Sequence, residues 1–293
     1  MKLFKTSRGV LLQQAKNVFL LKDPWDELIN REQLYNFLTG KCKVSERIDD
    51  SRFEGWINSH LQAPIGSQEV WAAGVTYLRS RDARMEESKA TGGADFYDKV
   101  YMAERPELFF KALPHRVSGP DQELFIRRDS TWNVPEPELV LFINSNEKIQ
   151  AYTAGNDMSS RSIEGENPLY LPQAKVYEKS AALGPCLYVP AEPISRITLI
   201  DMCISRNGKQ MFKDSVSINK MKRSHEELAA YLFRECEFKA GVFLMTGTCL
   251  VPPNDFTLQV NDIVDISISG IGTLSNRIGM RPDSLQSSID KKH

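Results

Sequence analysis

Histidine is scarce in this chain, paired cysteine motifs are absent, and no apolar run approaches the length needed to cross a bilayer. Each absence removes a class of function. The four histidines, His60, His115, His225 and His293, show no ligand spacing, which argues against a histidine-rich transition-metal site. The five cysteines (Cys42, Cys186, Cys203, Cys236 and Cys249) are odd in number and form no C-x-x-C. They suit reduced thiols better than a disulfide framework or a zinc site. An excess of charge is also missing, with 37 basic against 38 acidic side chains. That balance offers no electrostatic pull towards nucleic acid or an anionic membrane, and neither is expected as a partner. Near the N-terminus, Gln13, Gln14, Lys16 and Asn17 interrupt the apolar residues, so no secretory h-region forms and a cytoplasmic address is expected. No G-x-x-x-x-G-K-[ST], G-x-S-x-G or H-E-x-x-H occurs.

What remains is an ordinary globular composition, 41% hydrophobic and 26% charged, in a chain whose length suits one large domain with a small one attached. Pro64, Gly66 and Ser67 mark a boundary, giving a small N-terminal α/β domain over 1–66 and a main domain over 67–293. In the first, "DPWDELINREQLYNFLTG" predicts one helix, with Asp23 as N-cap, Pro24 at the first turn and Gly40 as its stop. In the second, short β-branched and aromatic runs separated by turn residues dominate. "ELVLFIN", "KIQAYTAGND", "ITLIDMCIS" and "DIVDISISGIG" are examples. Alternation in the last puts Val264, Ile266 and Ile268 on one face. "SHEELAAYLFREC" reads as a helix capped by Ser224 and Glu227. The fold class is therefore α+β, mainly β.

One segment carries chemistry. In "TWNVPEPELVLF", Glu136 and Glu138 stand two apart and so project from one face of a strand. Pro135 and Pro137 cannot donate to a ladder, which places the stretch at an edge or a rim. A tight hairpin turning at Ser145 and Asn146 sets Glu138 opposite Thr153 and Glu136 opposite Gly155. Asp157 then follows on the same face. Three carboxylates converging without histidine or cysteine call for a hard divalent cation: magnesium, manganese or calcium. A solvated polar strand face is the plainer reading of E-x-E taken alone.

"EVWAAGVTY", "RPELFFKA", "VPEPELVLF", "GNDMSSRSIEGENPLYLPQAKVYEKSAALGP" and "LMTGT" together resemble the catalytic domain of the fumarylacetoacetate hydrolase family, from about Glu69 to about Arg281. The resemblance implies a mixed β-roll with few helices, and magnesium or a similar ion on Glu136, Glu138 and Asp157. It implies catalytic roles for Lys175, in "LPQAKVY", and for Glu107, in "RPELFFKA". Substrate contacts are expected from Thr248, in "TGT", and from Tyr77 and Arg81 on a polar, lid-like segment that carries Gly92 and Gly93. Hydrolytic members carry histidine three residues after the tyrosine, where this chain has Ser80. "RPELFFKALPHR", "TWNVPEPEL" and "ENPLYLPQAKVY" instead resemble a non-hydrolytic branch that dehydrates sugar acids. That implies conversion of 2-dehydro-3-deoxy-D-pentonate (2-keto-3-deoxy-D-arabinonate) to 2,5-dioxopentanoate and water, in a homo-oligomer (dimer or tetramer). Two alternatives stay open: carbon–carbon hydrolysis of an acylpyruvate or related 2,4-diketo acid, and a non-catalytic metal-binding scaffold.

Overall fold

The computed structural model describes residues 1–79, 82, 85 and 94–282. Strands β1 (Lys2–Thr6), β2 (Gly9–Gln14) and β3 (Asn17–Leu21) form a meander, followed by helices α1 (Trp25–Ile29) and α2 (Leu34–Lys41). Next come β4 (Glu46–Ile48), α3 (Asp50–His60), β5 (Glu69–Gly74), α4 (Ala94–Met102), β6 (Glu107–Ala112), β7 (Val117–Ser118), β8 (Glu123–Ile126) and β9 (Asn133–Val134). The central hairpin is β10 (Pro137–Ile143) and β11 (Ile149–Asp157); β12 (Ser159–Ser160), α5 (Arg161–Glu166) and α6 (Leu171–Lys175) follow it. The chain ends with β13 (Ala181–Tyr188), β14 (Leu199–Arg206), β15 (Lys209–Ser217), α7 (His225–Phe233), β16 (Val242–Met245), β17 (Ile263–Ile268) and β18 (Gly272–Met280).

Two sheets hold the fold. The larger runs β4-β3-β2-β1-β13-β11-β10-β16-β5-β6, with β7 added beside β13; the smaller runs β15-β14-β17-β18-β8. The N-terminal strands join the larger sheet through β1, which pairs with β13. Strand β10 lies in its middle and is buried on both faces. Its odd positions, Leu139, Leu141 and Ile143, pack towards Met202, Ile204, Val264, Ile266 and Ile268 of the smaller sheet. Its even positions, Val140 and Phe142, pack with Leu28, Ile29, Leu34 and Leu38 of the N-terminal helices. Such two-faced burial explains the unbroken apolar run of "LVLFI". The alternation expected in β17 is present, with Val264, Ile266 and Ile268 buried. The Ser224 hydroxyl caps α7 by accepting from Glu227 N, while the Glu227 carboxylate turns to Arg223.

Three local expectations need correction. The first helix is split, because the Arg31 guanidinium donates to the Glu27 and Leu28 carbonyls that a continuing helix would use. Gln33 then adopts a left-handed conformation, and Gly40 falls inside α2. Asp23 caps nothing; its carboxylate pairs with Lys41 at 2.7 Å. The prolines mark a rim and not an edge: Pro137 is the first residue of a central strand, where a missing N–H is tolerated. Finally, the hairpin loop is longer than a two-residue turn. Asn144 N–H donates to the Lys148 carbonyl, and Glu147 takes a positive φ. The register moves by two, so Glu138 faces Gly155 and Val140 faces Thr153.

Candidate metal centre and active site

A shift of two residues keeps every side chain on its face. Its effect is to bring the acids closer together. Asp157 now lies across from Glu136, with Asp157 N–H donating to the Glu136 carbonyl at 2.9 Å. Asn156 Oδ1 accepts from Glu136 N at 3.2 Å, closing the mouth of the hairpin. Gly155 is required by packing, since a Cβ there would fall 2.5 Å from Val140 Cγ2. Glu136, Glu138 and Asp157 thus meet with one carboxylate oxygen from each within 4.8 Å of the others. All three are buried, Glu138 to 1% exposure.

Three cations surround this cluster. Arg161 Nη2 donates to Glu136 Oε1 at 2.9 Å. Lys175 Nζ donates to Glu136 Oε2 at 2.6 Å and to Asp157 Oδ2 at 3.1 Å. Lys111 Nζ lies 2.5 Å from Asp157 Oδ1 and also donates to the main-chain carbonyls of Met158 and Lys175. Arg161 is delivered by α5, which Ser160 caps; Lys175 comes at the end of α6, and Lys111 from β6.

The carboxylates do not share this compensation equally. Burial pushes Asp157 up, but Lys111 and Lys175 overcome it and hold its carboxyl below the usual range. Glu138 is raised well above the usual carboxylate value by burial first, then by Asp157 and Glu136; Lys175 and the Gly247 amide, which donates to Glu138 Oε2 at 2.6 Å, oppose this only in part. Burial pushes the Lys111 ammonium down, Asp157 restores part of that, and Lys175 adds to the fall. A hard cation fits here on two grounds. The donor set is oxygen only, and the negative charge least compensated by the protein sits at Glu138, facing the other two acids.

The cleft at the cluster is lined by Ala73, Gly74, Val75, Phe109, Arg161, Gly247 and Thr248 besides the three acids, and encloses about 10 Å³ of free volume. Thr248, expected at the substrate, is therefore at the site. Glu107, on the neighbouring strand β6, does not line the cleft but sets its carboxylate against Gly74, which does: a Cβ there would fall 1.9 Å from Glu107 Oε2. Tyr77 is buried in the core between the sheets and does not line the cleft. Its phenol is pushed up by burial and, to a lesser degree, by Cys249 and Glu138. Arg81, Gly92 and Gly93 lie outside the described residues. Among the described residues no histidine lines the cleft, and His115 is exposed on a short turn after β6. A larger cavity of about 620 Å³ lies elsewhere, between α2, the hairpin loop and α7, and contains none of these residues.

Sequence reading missed Lys111, Arg161 and Phe109. A lysine inside the apolar strand "ELFFKAL" and an arginine four residues after Asp157 were the available signals. Phe109, which reads in sequence as core packing beside Phe110, lines the cleft with the Lys175 ammonium 5.9 Å from its ring centre. Phe110 is half-buried and packs edge-on to Trp71, while Phe109 also touches the core cluster of the N-terminal helices.

Residues 79–279 match the family described as fumarylacetoacetate (FAA) hydrolase C-terminal. The chain belongs to the fumarylacetoacetate hydrolase family. This family member is 39% identical over 297 residues to the 2-dehydro-3-deoxy-D-arabinonate dehydratase of Saccharolobus solfataricus, covering 96% of this chain and 97% of that one. It is 46% identical over 226 residues to a probable 2-keto-3-deoxyxylonate dehydratase of Haloferax volcanii, covering 77% of each. Its fold matches a solved 2-keto-3-deoxy-D-arabinonate dehydratase complexed with magnesium and 2,5-dioxopentanoate, with a TM-score of 0.82 and 34% identity. That match covers 97% of this chain and 100% of the other. No helix among the described residues is long and apolar enough to cross a membrane.

Proposed function

We propose that this chain is a hydro-lyase that removes water from a 2-keto-3-deoxypentonate to give 2,5-dioxopentanoate, with magnesium held by Glu136, Glu138 and Asp157. The observation that carries the proposal is the buried cluster of three carboxylates with Lys175 on it. The relatives named as dehydratases support the choice of reaction, since they align over most of the chain. Magnesium, when bound, supplies Lewis acidity to a 2-keto acid head, polarising the ketone and making the C3 hydrogens more acidic.

The remaining steps belong to side chains. Lys175 lies on the acid cluster, where the keto-acid head is expected, and in its neutral amine form takes the C3 proton. Glu107 approaches across Gly74 from the neighbouring strand and gives a proton to the departing C4 hydroxyl; tautomerisation of the resulting 3-ene, which moves hydrogens from C5 and its hydroxyl to C3 and C4, then delivers the C5 aldehyde. Arg161 and Lys111 hold Glu136 and Asp157 in place. Thr248 offers a hydroxyl to substrate oxygens, and Phe109 supplies an apolar wall that limits water near the reacting carbons. Arg81 is assigned to substrate contacts, whereas Tyr77, buried in the core, is not. In this proposal residues 67–293 carry the chemistry and 1–66 form a small N-terminal domain. The enzyme serves pentose breakdown in the cytoplasm as a homo-oligomer.

The test is a product assay with 2-keto-3-deoxypentonates and, separately, acylpyruvates, each with magnesium and with chelator. Formation of 2,5-dioxopentanoate that stops with chelator is expected; acylpyruvate cleavage without dehydration would overturn the proposal. Solvent deuterium separates the two roles. Glu107→Gln should keep exchange at C3 while losing dehydration, whereas Lys175→Met should lose both.

A further inference from the structure

The two buried lysines of the site are held in different ways. Lys111 is anchored by the main chain, through the Met158 and Lys175 carbonyls, in addition to its contact with Asp157 Oδ1. That anchorage does not depend on which cation the carboxylates face. Lys175 instead puts its ammonium on Glu136 Oε2 and Asp157 Oδ2, and so on two of the three acids that would ligate a metal. The free space in the cleft is about 10 Å³, no more than one water-sized occupant needs. A cation that drew on all three acids would compete with Lys175 for two of them.

We infer that Lys175 is the chain's own stand-in for the divalent cation: it bridges Glu136 and Asp157 while the ion is away and yields them when the ion binds. The inference rests on reading Glu136, Glu138 and Asp157 as cation ligands. Two consequences follow from it. Three buried carboxylates left to face each other would repel strongly, so the stand-in lets the chain fold before it is loaded. Loading then detaches the Lys175 side chain from the two acids and leaves it beside the head of the substrate.

The sign of the effect makes this testable, because deleting a site residue should strengthen metal binding. Magnesium is titrated calorimetrically, without substrate, into chelator-stripped wild type, Lys175→Met and Lys111→Met, and thermal unfolding is recorded with chelator and with magnesium. A charge-assisted contact is worth about 1.5–3 kcal/mol, so Lys175→Met should bind magnesium about tenfold or more tightly than wild type. It should also unfold several degrees lower in chelator, a deficit that magnesium erases. Lys111→Met should show no comparable tightening. Equal or weaker binding by Lys175→Met would overturn the inference, as would equal tightening in both variants, which would mark a general charge effect. If Lys175→Met folds only with metal, that itself supports the stand-in. Its affinity is then read by competition with a chelator of known strength, and Lys175→Gln repeats the measurement. A wild type that takes up no magnesium would overturn the metal reading itself, and is seen before any variant is compared.

Discussion

Replacing Glu138 by glutamine should make the metal-free protein more stable and the metal-loaded protein less so. Glu138 is buried, and its nearest acids each offer an oxygen within 4.8 Å. Two like charges at that separation repel by about 3.5 kcal/mol at an effective dielectric near 20. Glu136 and Asp157 are already paired with Arg161, Lys175 and Lys111, which cuts the relief to about 1–3 kcal/mol net. Glutamine keeps the shape, and its amide oxygen can still accept from the Gly247 N–H that now meets Glu138 Oε2. In chelator, Glu138→Gln should therefore melt about 2–6 °C above wild type. With magnesium at a thousand times its dissociation constant, wild type gains about 4.1 kcal/mol. The variant, short of one anionic ligand, keeps only a minor part of that gain, and the order of the melting points reverses. Differential scanning calorimetry at pH 7, with chelator and with magnesium, reads both arms. A variant that melts below wild type in chelator and keeps the full magnesium increment would refute the charge argument and remove Glu138 from the metal site.

Gly74→Ala should lower turnover about tenfold or more while leaving magnesium affinity unchanged, because the added Cβ would displace Glu107 Oε2 from its place 1.9 Å away, which costs alignment at the reacting group. Kinetics beside a metal titration checks this; a turnover equal to wild type would take Glu107 out of the mechanism. His225→Phe should reduce the acid sensitivity of the fold. Burial, opposed by Glu226 and assisted by Arg196, holds the His225 imidazole below its ordinary value. The unfolded chain therefore takes the proton first, and stability present above about pH 6.5 is lost as the pH falls towards the lower folded value. Denaturant melts of both proteins between pH 7 and pH 5 should diverge only below about 6.5, and parallel curves would show that His225 contributes nothing.

Much of the site was readable in one dimension because local geometry controls it. The same-face relation of Glu136 and Glu138 is a property of any strand, and the placement of Asp157 on that face survived a turn that was wrong by two residues. Parity of the hairpin was enough. The opposition of Asp157 to Glu136 was not readable, since it depends on Asn144 and Glu147 forming a wider loop held against Asn30 and Arg31 of the N-terminal region. The split of the first helix has the same origin, in side chains that find partners outside their own segment. Lys111 shows the limit most clearly. In sequence it is a lysine in an apolar strand, and only β6 lying beside α6 and the end of β11 turns it into a buried counter-ion.

The residues by themselves therefore determined the class of chemistry: oxygen ligands without histidine, rigid prolines at a strand mouth, and a mainly β chain with alternating faces. These follow from side-chain identity and strand periodicity, which act over a few residues. Tertiary structure decided the electrostatics. It chose which acids received cations and which was left uncompensated, because charge pairing in a buried site depends on approach between segments that the sequence keeps tens of residues apart.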